Sequence, residues 1–414
     1  MVGGRAASRG QGLPGYAVFA AMIACAGLPI YIHAPKFYVD EYGVSLAALG
    51  AVLFGLRLLD FVQDPLLGWL SEARRNVRGA LVVLAVAIMA LSMLGLFAVT
   101  PPFAPLLWFA ITLTGLFSAF SFLTINFYAQ GVRKAGELGE NGHVRVAAWR
   151  ETGSLLGVCV AAVAPTALAS LTGSPFALFA AGFVGLAILA AWTMRGEWLA
   201  SPGNTAPGFG PVLRDGVARR LLLIALVNAT PVAVTSTLFL FFVESRLAAP
   251  GSEGPLLLLF FFAAALSAPL WGKAAARFGA KPALLFGMAL AIGSFAFAAF
   301  LGAGDIAAFA VICLISGAAL GADLTLLPAI FARRMARIAP DAGQAFGLWS
   351  FVSKFTLAFA AVTLLPLLDL AGFQSGIENS ASSLTMLTIL YALVPCALKL
   401  VAIVLLAATP IKET

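Results

Sequence analysis

Apolar residues gather along this chain in long runs instead of short alternations. The runs fall at about 15–39, 46–72, 79–99, 104–131, 144–171, 175–195, 217–245, 255–277, 281–302, 305–335, 343–370 and 384–409. A helix needs about 20 apolar residues to cross a bilayer, and every run reaches that length. Several exceed it, which implies tilt. Backbone groups in lipid must be satisfied within the segment, so each run is read as a helix. The pattern predicts an all-α membrane protein with twelve transmembrane helices.

Composition points the same way. The chain is 61% hydrophobic and 10% charged, with mean hydropathy +1.00, whereas soluble domains carry about 25% charged residues. Too few polar residues remain to cover a water-facing surface. The first run follows Arg5 and Arg9 and superficially resembles a signal peptide. It is longer than an ordinary signal core, lacks a small-x-small cleavage site and leads into further runs, so a retained signal anchor is expected.

The formal net charge is +7, and its placement matters more than its size. Arg74, Arg75 and Arg78 follow run 2, and Arg133 and Lys134 follow run 4. Arg195, Arg214, Arg219 and Arg220 lie between runs 6 and 7. Lys273, Arg277 and Lys281 follow run 8, and Arg333, Arg334 and Arg337 follow run 10. The alternate connections hold Asp40, Glu41, Glu244, Glu253, Asp305 and Glu378, with Arg246 the main exception. This is the positive-inside pattern, and it places both termini in the cytoplasm of a multi-pass inner-membrane protein. The basic surplus is topological, so no nucleic-acid partner is expected, whereas contact with the lipid bilayer is; the expected state is a monomer. Cys25, Cys159, Cys313 and Cys396 lie singly in separate runs and read as packing residues, not a disulfide or metal framework.

Residues 198–216, rich in Pro and Gly, separate two blocks of six runs and read as a cytoplasmic linker between bundles at 1–197 and 217–414. The blocks echo each other at an offset of about 200 residues. Asp64-Pro65-Leu66-Leu67-Gly68-Trp69 returns as Ala268-Pro269-Leu270-Trp271-Gly272-Lys273, Leu123-Thr124 as Leu324-Thr325, and Trp149-Arg150 as Trp349-Ser350. Parallel six-helix repeats with a solute held near the midplane fit this pattern. Asp64 faces Ala268 in the other copy, and Lys354 faces Ser154. A structural requirement would persist in both copies, so the asymmetry favours function.

Charges inside the runs are the candidate chemistry. Arg57, Asp60 and Asp64 share one helical face, and charges at membrane depth pair, line an aqueous path or both. Asp60 and Asp64, with Gln63 beside them, offer oxygens to Na+ or a carboxylate to H+. The bland alternative pairs Asp60 with Arg57 and uses Asp64 as a hinge near Pro65. Lys354 lies too deep in run 11 to reach the interface easily; it reads as a counter-charge to the aspartates or a substrate contact, against a fixed interhelical pair. Asp323 is a candidate in the second half, whereas Lys399 is expected to snorkel. Arg150 opens run 5 beside Glu151 and reads equally as a gate or a static salt bridge. His33 and Lys36 read equally as a vestibule or an interfacial anchor. Asn126 and Tyr128 in run 4 offer hydrogen bonds to a solute or between helices. No P-loop, dinucleotide fingerprint or His-Glu-x-x-His motif is present, so neither an enzyme nor a bound cofactor is expected.

Phe37-Tyr38-Val39-Asp40-Glu41-Tyr42-Gly43-Val44-Ser45, followed by Arg57-x-x-Asp60-x-x-x-Asp64-Pro65-x-x-Gly68-Trp69, resembles the glycoside–pentoside–hexuronide:cation symporter family. This is the melibiose-permease-like branch of the major facilitator superfamily, and the resemblance runs through all twelve segments. It implies two six-helix bundles and alternating access, with Asp60 and Asp64 as cation-binding aspartates. Gln63 takes the place of an asparagine, Lys354 matches a lysine on helix eleven and Arg150 an arginine on helix five. The resemblance also places Ala24 and Thr124 where the sugar-binding members carry acidic residues. The expectation is Na+- or H+-coupled symport of a small, sugar-like organic solute. The alternatives are an amphiphile or lysolipid carrier of the same fold, and a membrane receptor or sensor that does not transport.

Overall fold

Helix forms along the apolar runs, and proline and glycine mark several of the interruptions. The structure is a computed structural model describing residues 12–198, 209–339, 342–373 and 379–411. Run 1 forms two helices, α1 (Leu13–Cys25) and α2 (Leu28–Tyr42), in place of the expected single rod. The break at Ala26–Gly27 precedes Pro29, which sits in the first turn of α2, where its missing N–H costs no helical hydrogen bond. α3 (Leu46–Ala73) carries the charged face and is capped by Ser45, whose hydroxyl accepts from Ala48 N. Then follow α4 (Arg78–Phe97), α5 (Pro105–Leu138), α6 (Gly142–Leu168) and α7 (Pro175–Met194).

Beyond the linker region come a short α8 (Gly210–Arg214), α9 (Gly216–Phe241), α10 (Glu253–Phe278), α11 (Ala280–Phe295), α12 (Ile306–Ile338) and α13 (Gly343–Leu370). The last run is divided into α14 (Ala381–Thr388) and α15 (Val394–Ala407) by a π-helical turn at Ile389–Leu393. Another π turn, Phe242–Arg246, ends α9. Among the described residues, nine helical stretches pass as membrane spans on length and apolarity alone. α3 holds Asp60 and Asp64. Most of the proposed linker, 199–208, lies outside the described residues.

The chain divides into two compact units, Met1–Pro211 with Met335–Phe351, and Val212–Arg334 with Val352–Thr414. In the first, α1 lies against α6 at backbone distance. A Cβ on Gly153 would fall 2.1 Å from Ala17 O, and one on Gly157 2.5 Å from Ala21 O. Small residues allow this approach, which is how helices gain contact where lipid offers no hydrophobic drive. Tyr16, Phe19 and Phe127 fill the space behind them. In the second unit, Phe242 stacks on Tyr391 with centroids 4.1 Å apart, beside Phe309. There a Cβ on Gly317 would meet Phe260 O at 2.3 Å, so α10 and α12 approach equally closely.

One polar joint secures the entrance of α9. Asp215 caps the helix by accepting from Ala218 N at 2.8 Å. It also accepts from Arg334 on α12, from Nε at 3.0 Å and from Nη2. The Arg334 hydrogen bonds hold the Asp215 carboxyl below its ordinary range, against the opposing effect of partial burial.

Candidate functional site

Asp60 and Asp64 stand one turn apart on α3 and are both buried, 3% and 0% exposed. Gln63 and Ser350 each donate to one of the carboxylates. Gln63 Nε2 donates to Asp60 Oδ1 at 2.8 Å, and Gln63 Oε1 accepts from Ser118 Oγ of α5 at 2.9 Å. Ser350 Oγ of α13 donates to Asp64 Oδ2 at 2.7 Å. Pro65 follows directly and has no N–H to donate within α3. Carboxylates, hydroxyls and an amide oxygen are ligands for a hard cation, and either carboxylate can hold a proton instead. Among the described residues no cluster of three or more His, Cys, Asp or Glu forms.

A second polar layer lies on α5 and α6. Arg150 Nε donates to Glu151 Oε1 at 2.7 Å, and the Tyr128 hydroxyl donates to the same oxygen at 3.2 Å. The Arg150 guanidinium also sits over the Tyr128 ring, 3.7 Å from its centroid. All three residues therefore form one polar unit, with cation–π attraction added to the ion pair. Asn126 is committed elsewhere: its side chain accepts from Ser71 Oγ at 2.7 Å and donates to Phe122 O at 2.8 Å. Thr124, by contrast, has a buried hydroxyl with no hydrogen-bond partner among the described residues.

Below this layer α3 meets the first turn of α13. A Cβ on Gly68 would lie 3.0 Å from Gly343 O, and Glu72 Oε1 accepts from Gln344 N at 2.7 Å. A carboxylate at a helix N-terminus satisfies one of its orphan donors and complements the helix dipole.

The other unit has a charged centre of its own. Lys399 of α15 pairs with Asp323 of α12 and also donates to Asn228 Oδ1 of α9 at 2.8 Å. Lys399 is only 5% exposed, so it does not snorkel to an interface as expected. Lys354 is half-buried on α13, in the second unit. His33 lies near Ala162 O, 3.2 Å from Nε2, and faces Phe176, which ties α2 to α6 and α7. Lys36 is exposed and pairs with Asp40 one turn on, at 2.8 Å. The side chain of Arg57 lies outside the described residues.

Comparison with known proteins adds the decisive observation. A model of the family described as MFS/sugar transport protein matches residues 13–413. The chain belongs to this family. Three solved structures share its fold at low identity. A bacterial homologue of the iron transporter ferroportin, in the outward-facing state, aligns with TM-score 0.72 at 13% identity, covering 96% of this chain and 98% of that one. The same homologue soaked with iron gives 0.68 at 14% identity, covering 96% and 98%. The E. coli fucose:proton symporter gives 0.65 at 12% identity, covering 96% and 99%. No curated protein matches the sequence. The protein is thus a multi-pass membrane transporter of the major facilitator fold, not an enzyme.

For this MFS transporter, the structure brings Asp60, Gln63 and Asp64 together with two residues that sequence reading missed, Ser118 and Ser350. Ser350 carried a readable signal, since it stands one turn before Lys354. Ser118 carried none, because isolated serines are common in transmembrane helices. Tyr128 and Arg150 also come together, whereas Asn126, His33 and Lys36 are each occupied by separate local contacts.

Proposed function

We propose that this MFS transporter is a cation-coupled symporter of a small, sugar-like organic solute, with Na+ or H+ bound at Asp60 and Asp64. The observation that carries the reading is the burial of two carboxylates one turn apart, surrounded by the Gln63 amide and the Ser118 and Ser350 hydroxyls. Two nearby negative charges in a dry site repel each other, and a bound cation or proton relieves that repulsion. Loading changes the site's charge, which is the differential interaction that coupling to a conformational change requires. Lys354 acts as the counter-charge in the unloaded cycle. The resemblance to the glycoside–pentoside–hexuronide:cation symporters supports the same roles, and the fucose:proton symporter is a fold neighbour.

The substrate contacts proposed are Thr124, whose hydroxyl is unpartnered, and the Tyr128–Arg150–Glu151 unit. Threonine and Ala24 in place of two acids would hold a solute with fewer bidentate hydroxyl contacts than a disaccharide offers. The basic loops support an inner-membrane topology with both termini cytoplasmic. The repeated motifs support two six-helix bundles joined by the 198–216 linker.

The test is a thermal-unfolding screen of the purified protein against sugars and glycosides, with and without Na+ and at two pH values. A ligand at 100 times its Kd adds about 2.7 kcal/mol. The expected result is a ligand whose stabilisation depends on Na+ or on lowered pH. Ligand stabilisation indifferent to both would overturn the coupling assignment.

A further inference from the structure

The second unit contains an open cleft between its helices. Its walls come from α9, α10, α11, α12 and α15, and they are apolar over most of their area. Two lining hydroxyls are turned back onto their own helices: Thr235 Oγ1 donates to Val232 O at 3.1 Å, and Ser316 Oγ to Ile312 O at 2.6 Å. The polar chemistry left is at one end, where Asp323 and Lys399 line the cleft.

That end has a defined hydrogen-bond balance. Asp323 Oδ2 is taken by Lys399, and the pair is electrically neutral as a unit. Asp323 Oδ1 is buried and accepts no hydrogen bond from the described residues. An acceptor left unmade in a dry site is costly. A ligand with a hydroxyl donor would satisfy it without disturbing the charge balance. A carboxylate would bring a second negative charge to the oxygen, and an ammonium would leave the site net positive. From Asp323 to Ser316 the cleft follows α12 for two turns, ~10 Å, which suits an alkyl chain of ~8 carbons.

We infer that this cleft is a binding site for an uncharged amphiphile with a hydroxyl head, the hydroxyl donating to Asp323 Oδ1 and the tail lying toward Ser316. The inference uses none of the residues assigned to cation coupling, so it stands or falls apart from that reading.

The probe is an octanol carrying an aliphatic diazirine, photolysed with the full-length protein in lipid nanodiscs and mapped by mass spectrometry. Label should concentrate on the peptides containing Pro231–Thr235 and Pro395–Lys399. Unlabelled octanol should protect them at concentrations at least about tenfold below those needed for octane, octanoate or octylammonium. Octanol added from water and monoolein placed in the disc are separate competitors, telling a diffusible alcohol from a neutral lipid; protection by either supports the site. A291F and S316L, which fill the cleft from different helices, should each lose the protected label while remaining monodisperse. Label spread evenly over outward-facing helices, or protection by octane equal to that by octanol, would overturn the proposal.

Discussion

Ser350 Oγ donates a 2.7 Å hydrogen bond to Asp64 Oδ2, although the two residues lie 286 positions apart in sequence. The contact ties the buried acidic face of α3 to the second turn of α13, four residues before Lys354. Under the proposed coupling, a hydroxyl here would donate to a bare carboxylate and offer its oxygen to a bound ion. S350A should therefore weaken cation affinity without removing the coupling charge. Titration of cation-dependent stabilisation should show a midpoint shifted upward by several-fold, about 1 kcal/mol.

Lys354 and Asp64 should behave as one functional unit under the proposed cycle. K354A should leave expression near normal and depress transport strongly, and D64N should be less harmful on that background than alone. A double-mutant cycle of transport rates in proteoliposomes reads the coupling directly. Strictly additive losses would separate the two residues.

The ion pair in the second unit makes a stability prediction. K399M leaves Asp323 buried without its partner and should cost about 3–5 kcal/mol. Replacing both residues, K399M with D323L, should restore most of that loss, because neither charge is then stranded. Thermal melts of the purified variants check the order: wild type and the double variant high, the single variant low.

The α1–α6 contact predicts a steric penalty. Gly153 has no room for a Cβ against Ala17 O, so G153A should force the helices apart and cost about 1–3 kcal/mol. G185A, at a glycine with open space around it, is the control and should melt like wild type.

The Asp215–Arg334 joint predicts a pH dependence. Because the folded carboxyl is held below its unfolded value of about 3.9, its contribution is fully present above that value. It is lost as pH falls through the lowered folded value. D215A, which removes both cap and pair, should cost about 1 kcal/mol at neutral pH. Wild type and variant should converge in acid, as melts across that range would show.

Much of the membrane architecture was legible in the sequence because a lipid-spanning helix has one length and one composition. The acidic face of α3 was legible too, since Arg57, Asp60 and Asp64 share a helical spacing and charges in apolar runs are rare. What the runs could not show is which faces meet. Lys399 was expected to snorkel; its partner Asp323 is 76 residues away in sequence. Asn126 could serve a solute or a neighbouring helix by sequence; Ser71, 55 residues away, takes its oxygen. The break in run 1 was hidden for a different reason. Gly27 and Pro29 sit in an unbroken apolar stretch, and hydropathy does not register a missing N–H.

The coupling claim is tested most directly by uptake into proteoliposomes, using whichever solute the stability screen identifies. Wild type and D60N are each given an inward Na+ or H+ gradient, and both are also assayed for counterflow without one. The account predicts that wild type accumulates solute above the outside concentration, whereas D60N only exchanges it. Accumulation by D60N equal to wild type would show that Asp60 does not carry the coupling ion.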